Sequence, residues 1–142
     1  MPRAYVSIGS NIDKERNVRS ALRALSARFG KLTVSPIYEN RAVGFDGENF
    51  LNLVVSFDTA ESAQAIAAAL LWIENAHGRV REAGNRFNAR TLDLDLLLYG
   101  NAVINEPSLQ LPRAEIREHA FVLRPLADIA ADVRDPVTGE TY

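Results

Sequence analysis

The run Arg90-Thr91-Leu92-Asp93-Leu94-Asp95-Leu96-Leu97-Leu98-Tyr99 sets two aspartates two residues apart in an otherwise apolar segment. Read as a strand, its side chains alternate between faces, so Asp93 and Asp95 share one face with Cα atoms roughly 7 Å apart. Leu92, Leu94, Leu96 and Leu98 are then expected on the other face. A carboxylate in such surroundings is costly to bury, and two side by side repel unless cations neutralise them. Hard oxygen donors on a stiff strand suit Mg²⁺, which keeps much of its water shell and borrows further ligands from substrate phosphates. The plainer alternative is a strand end at the rim with both aspartates solvated. Just upstream, Arg79, Arg81, Arg86 and Arg90 are accompanied by a single acid, Glu82, a local cationic stretch suited to a phosphate-bearing ligand.

Asn52 stands mid-strand with the parity of Phe50, Val54 and Ser56. Strands are poor in Asn unless the amide has defined partners, and an amide presents the donor and acceptor pair that reads an amide-like heterocycle edge. An exposed face or a backbone hydrogen bond is the ordinary alternative. Glu74 follows Leu70 by four residues at the border of a helical apolar stripe, which by geometry alone reads as a solvated flank. Trp72 and Phe45 read as packing residues, and His77 as compensation of a helix C-terminus.

The elements that must position these residues are legible from periodicity. Ala4 to Ile8 is a strand closed by Gly9-Ser10-Asn11, and a helix follows from about Asp13, with Val18, Ala21, Leu22, Leu25 and Phe29 in register and Gly30 ending it. Leu32 to Asn40 reads as an edge strand because of Pro36. Gly44 to Asn49 is a loop, Phe50 to Phe57 a strand, and Thr59 to His77 a second helix with Ile66, Leu70 and Ile73 inward. Residues 79–90 lack apolar periodicity and are expected to form a loop too long to be a simple connector. After the aspartate strand come a turn at Gly100-Asn101, a loop from Pro107 to Pro112 and an apolar stretch from Phe121 to Ile129. The order strand, helix, strand, strand, helix, strand is that of an α+β, ferredoxin-like sandwich, a mostly antiparallel sheet with helices packed on it.

At 142 residues the chain suits one domain spanning 1–142. Hydrophobic residues at 47% and charged residues at 24% argue against disorder, and the absence of cysteine excludes disulfides and thiolate metal sites. The N-terminus enters a strand pattern without a signal-peptide stretch, and no apolar run is long enough to span a bilayer, so a cytoplasmic protein without membrane contact is expected. A net charge of −2 gives no basic field to recruit nucleic acid.

Together these blocks resemble one family, the 6-hydroxymethyl-7,8-dihydropterin pyrophosphokinases of folate biosynthesis, which move the β,γ-diphosphate of ATP onto the pterin hydroxymethyl group. The resemblance is carried by Ile8-Gly9-Ser10-Asn11, Thr33 to Tyr38, Gly44 with Phe50-Leu51-Asn52, Glu74 with Gly78-Arg79-Val80-Arg81, the run Arg86 to Leu97, Leu111-Pro112 and Phe121 to Leu126. It implies that Asp93 and Asp95 hold two Mg²⁺ ions on the ATP phosphates, with Arg79, Arg81 and Arg90 gripping the triphosphate as catalytic residues. For the reduced hydroxymethylpterin it implies recognition by Asn52, by Val43, Gly44 and Phe45, by Phe50, and by Phe121 as a stacking wall. For ATP it implies Glu74, Arg81, Arg90, Leu96, Leu111, Arg113 and His119. No side chain is an obvious general base, which suits transfer by positioning and electrostatics.

Departures from the family pattern stand beside the matches. Phe87-Asn88 replaces the usual Trp-Gly, Pro112-Arg113 the usual Pro-His, His119 an arginine, and Phe50 a common tyrosine. Arg117 is a second candidate for the missing arginine. The sequence ends at Tyr142 after a Pro136/Gly139 turn where members commonly continue into a short final helix, which reads either as a truncation that removes that helix or as the mark of a divergent paralogue. A monomer is expected. Alternatives are a divergent paralogue acting on a related pterin, and a non-catalytic nucleotide-binding module of the same architecture, which gives no reason for the aspartate pair.

Overall fold

The structure, a computed structural model, describes residues 1–41, 49–78 and 92–142. The expectations for Val43, Gly44 and Phe45, and for the loop arginines Arg79, Arg81, Arg86 and Arg90, lie outside the described residues.

β1 (Arg3–Ser10) is buried along nearly its whole length because it is the central strand. It pairs antiparallel with β4 (Phe50–Asp58) on one side and β5 (Asp93–Tyr99) on the other. The far edge of β4 carries β2 (Thr33–Val34) and β3 (Tyr38–Asn40). α1 (Lys14–Phe29) and α2 (Ala63–Ala76) lie on one face. Gly30, at φ 86, stops α1 by turning its N–H back to the Ser26 carbonyl, and the Ser62 hydroxyl caps α2 by accepting from the Ala65 N–H at 3.1 Å. The helical stripes Val18, Ala21, Leu25 and Ile66, Leu70, Ile73 bury against Val6, Ile8, Leu53, Val55, Leu94 and Leu96. Phe29 stacks on Phe57 in the same core, ring centroids 4.3 Å apart.

A second apolar layer covers part of the opposite face. α3 (Glu115–Glu118) and α4 (Ala120–Ala130) place Ile116, Val122, Leu126 and Ala130 on Tyr5, Val54, Leu97 and Leu98. The strand order β2-β4-β1-β5, with helices packed on an antiparallel sheet, is the expected α+β, ferredoxin-like sandwich, extended by this layer.

Three local expectations are corrected, and the apolar stretch after Phe121 acquires its secondary structure. Leu98 does not share the face of Leu92, Leu94 and Leu96: Val6 pairs with Leu96 while Tyr5 pairs with Leu98, so Leu97 is an extra bulge residue that flips the alternation. Leu97 and Leu98 both join the second core. The strand read over 32–40 is two short strands, because Ser35 turns inward, its hydroxyl accepting from the Val54 N–H and donating to the Pro36 carbonyl, each at 2.9 Å. Pro36 has no N–H to continue the ladder. The segment from Pro107 to Pro112 is no plain loop: β6 (Ile104–Glu106) and β7 (Leu109–Leu111) form a hairpin. The apolar stretch 121–129 is helical even though Pro125 lies inside α4. Among the described residues no helix is long and apolar enough to cross a membrane.

Candidate active site

Strand register builds the site. Tyr38 pairs with Asn52, Asn52 with Gly9, and Gly9 with Asp93, a single row across β3, β4, β1 and β5. In the row one step along, Val54 pairs with Ser7 and Ser7 with Asp95. Asp93 and Asp95 precede the bulge, so the period of two holds for them and both project to the face that α4 covers further along. Asn52 shares that face: an ideal Cβ on Gly9 would lie 3.1 Å from the Asn52 Oδ1 and 3.9 Å from the Asp93 Cβ. The amide and the aspartate pair, separate motifs in the sequence, are thus one arrangement on one face. At the end of the row α4 clamps Tyr38, whose hydroxyl donates to Asp128 and whose ring lies under the Arg124 guanidinium, 5.6 Å from its centroid.

Arg113 connects this face to the segment after β7. Its Nη2 lies 3.3 Å from the Asp95 Oδ1 and its Nε 2.8 Å from the Glu115 Oε2, while its backbone N–H donates to the Leu97 carbonyl at the bulge. Burial first, and then the charge of Asp93, push the Asp95 carboxyl up to about 7; Arg113 pulls it down, and Glu74 and Glu115 add to the rise. Among the described residues, Arg113 is the guanidinium beside Asp95, and it offsets only part of this rise. Two neighbouring carboxylates on one strand face suit a hard divalent cation that takes its remaining ligands from water and phosphate. Among the described residues no cluster of three or more His, Asp or Glu completes an all-protein cage, and a shared Mg²⁺ shell requires none.

Along the outer edge of β5 runs a cleft of about 220 Å³, lined by Leu70, Leu71 and Glu74 of α2, Leu94 and Leu96 of β5, and Ser108, Leu109 and Arg113 beyond it. Asp95 also lines it, so the cleft opens onto the aspartate face. Glu74 is not the solvated flank that helical geometry suggests. It is 1% exposed, and its Oε2 accepts from the Leu94 N–H at 2.7 Å, satisfying an outward donor of the edge strand. Strand alternation puts the Leu96 backbone groups on that same edge. Leucine walls with an edge of backbone donors and acceptors can take a flat heterocycle, and Arg113 and Asp95 stand where such a ligand's charged portion would emerge.

The other expected residues are distributed as follows. Leu111 is buried in the first core, and Leu109 lines the cleft instead. Phe50 begins β4, half-buried. Phe121 packs on the second core at the start of α4, and His119 stacks on it with ring centroids 4.7 Å apart and planes 16° from parallel. Arg117 is engaged elsewhere in the structure: its guanidinium pairs with Asp135 at 2.8 Å and donates to Thr138 at 2.9 Å. Sequence reasoning named Leu96 but missed Glu115, Tyr38 and the other leucines of the cleft, Leu70, Leu71, Leu94 and Leu109. Tyr38 is visible only through strand register, and Glu115 only through the turn that carries Arg113 back to Leu97.

Comparison with known proteins agrees with this geometry. The family model for 7,8-dihydro-6-hydroxymethylpterin-pyrophosphokinase matches residues 5–131. A 2-amino-4-hydroxy-6-hydroxymethyldihydropteridine pyrophosphokinase of Pseudomonas aeruginosa is 39% identical over 138 residues, covering 94% of this chain and 84% of the relative. Proteins of the same name from Methylorubrum extorquens and Bacillus subtilis are 39% and 37% identical, covering 99% and 95% of this chain and 89% and 82% of the relatives. With the match running through both the Asn52 strand and the aspartate strand, the chain belongs to the 7,8-dihydro-6-hydroxymethylpterin-pyrophosphokinase family.

Proposed function

We propose that this chain transfers a diphosphate from ATP to the hydroxymethyl oxygen of 6-hydroxymethyl-7,8-dihydropterin, releasing AMP and the pterin diphosphate for folate biosynthesis. The observation that carries the reading is the row Asn52, Gly9, Asp93. It sets a heterocycle-reading amide and a phosphate-side carboxylate two strand spacings apart, about 10 Å, a span suited to a bicyclic ring with its hydroxymethyl arm.

In this reading Asn52 pairs with the amide edge of the pterin, which aims the hydroxymethyl group across β1 towards β5. The adenine lies against Leu94 and Leu96 in the edge cleft, oriented by the Leu96 backbone and by the wall that Glu74 holds in place. Arg113, together with Arg79, Arg81 and Arg90, steers the triphosphate onto the aspartate face. The substrate oxygen attacks the β-phosphorus as the bond from that phosphorus to the α,β-bridging oxygen breaks; AMP leaves with the electron pair and the hydroxyl proton passes to solvent. Two Mg²⁺ ions, held by Asp93 and Asp95, would supply charge neutralisation at the phosphates when bound. Phe121, with His119 stacked on it, offers an aromatic surface for the pterin ring. The working unit is a cytoplasmic monomer.

Incubation with ATP, Mg²⁺ and the reduced hydroxymethylpterin tests the reading. AMP should accumulate only when the pterin is present. Release of ADP, or nucleotide binding without turnover, would reject it.

A further inference from the structure

We infer that Gly9 is a positioning residue for the flat heterocyclic substrate: its missing side chain leaves the Asn52 amide in reading position and the path from Asn52 to Asp93 unobstructed. The inference rests on the assignment of Asn52 as the pterin reader and assigns a role to the residue between the two halves of the site.

Three observations carry it. First, Gly9 is not needed for its backbone. It lies inside the regular β1 ladder, paired with Asn52 on one side and Asp93 on the other, and is not among the glycines with positive φ. Glycine inside a strand weakens it, so a strand glycine with an ordinary conformation points to a close approach over its Cα. Second, the approach is present and one-sided. A Cβ here would meet the Asn52 Oδ1 at 3.1 Å, tighter than an ordinary contact, whereas the Asp93 Cβ, at 3.9 Å, would be undisturbed. Third, the amide is the part able to give way. Asn52 is half-buried, and its side chain makes no hydrogen bond to another described residue that would hold it against displacement. A methyl group at residue 9 would thus push the amide aside by a few tenths of an ångström, enough to misalign its hydrogen bonds with a ligand, while leaving the carboxylates in place.

Gly9→Ala separates this role from a structural one. Binding of the reduced hydroxymethylpterin should weaken about tenfold, measured by ligand fluorescence with a non-hydrolysable ATP analogue and Mg²⁺ present. Affinity for the analogue should stay within about twofold, and the melting temperature should hold or rise, since alanine suits a strand better than glycine. In an Asn52→Ala background, where the contacted oxygen is gone, Gly9→Ala should change pterin affinity by less than about twofold. Unaltered pterin binding in Gly9→Ala overturns the inference, as does an equal loss of both ligands or an undiminished effect in the Asn52→Ala background. Should Gly9→Ala fail to fold, the double variant decides: restored folding supports the contact with Asn52, and continued failure overturns it. If the unsubstituted chain binds no pterin, the functional reading itself falls and this inference with it.

Discussion

Asp95 shows how a site residue works against the stability of the fold that carries it. Its carboxyl, pushed up to about 7 by burial and by Asp93, prefers its proton in the folded chain relative to the usual value of 3.8. A raised carboxyl pKa means that folding is progressively disfavoured as pH rises from the unfolded value through the folded one. Asp95→Asn, which removes the charge and keeps the shape, should therefore raise the melting temperature at pH 8 in chelator-containing buffer, with a gain that shrinks steadily as pH falls and vanishes only below 3.8. The same substitution should lower pterin-dependent AMP formation by at least about a hundredfold, because the phosphates lose a neutralising partner. Higher stability without that loss would refute the metal-ligand role. Asn52→Ala should weaken pterin binding by roughly 1–3 kcal/mol, with ATP affinity unmoved, as titration of each ligand would show. Both residues were legible in sequence because each breaks an apolar pattern at strand spacing. Glu74 was misjudged because its burial depends on β5 crossing over α2, which helical periodicity does not contain.

The contacts between elements determine how the sheet face is divided. The Leu97 bulge lets one strand serve two layers: before it, Leu94 and Leu96 pack under α2 with the aspartates opposite; after it, Leu98 faces α4. Alternation read from residue types hides this, since a run of leucines looks the same in either register. The bulge carbonyl receives the Arg113 N–H, so the register change also places the guanidinium beside Asp95. α2 and β5 are joined by Glu74, whose carboxylate accepts from the Leu94 N–H in a nearly dry setting. Glu74→Leu should destabilise the fold by roughly 2–3 kcal/mol in urea denaturation, because that N–H loses a charged acceptor, and Glu74→Gln should cost less. Equal stability of all three forms would show that the tie is dispensable. Sequence showed α4 only as an apolar stretch; Pro125 lies inside the helix, which packs on Val54 and Leu98.

At the scale of the molecule, the described residues form a sheet covered by α1 and α2 on one face and partly covered by α3 and α4 on the other, with the aspartate and asparagine rows on that second face beside α4. The chain after α4 secures that half-cover. Asp135, 4% exposed, accepts from the Val137 and Thr138 N–H groups with Oδ1 and from Arg117 of α3 with Oδ2, and Tyr142 packs back on the second core. Burial alone would raise the Asp135 carboxyl, but the Arg117 bond and the two backbone donors together hold it below the usual 3.8. A lowered carboxyl pKa contributes stability that is fully present above the unfolded value and is lost as pH falls through the folded one. Asp135→Ala should therefore cost roughly 1–3 kcal/mol at pH 7, and that penalty should shrink as pH falls below 3.8. Arg117→Ala should cost less, because its guanidinium is about half exposed and screened by solvent. Neither substitution touches the aspartate face, so the protein that remains folded should keep its pterin-dependent turnover, in contrast to Arg113→Ala, which should lose turnover with little loss of stability. Urea midpoints and AMP formation measured on the three variants test this division, and a fall in turnover with Arg117→Ala as steep as with Arg113→Ala would place Arg117 in the site after all.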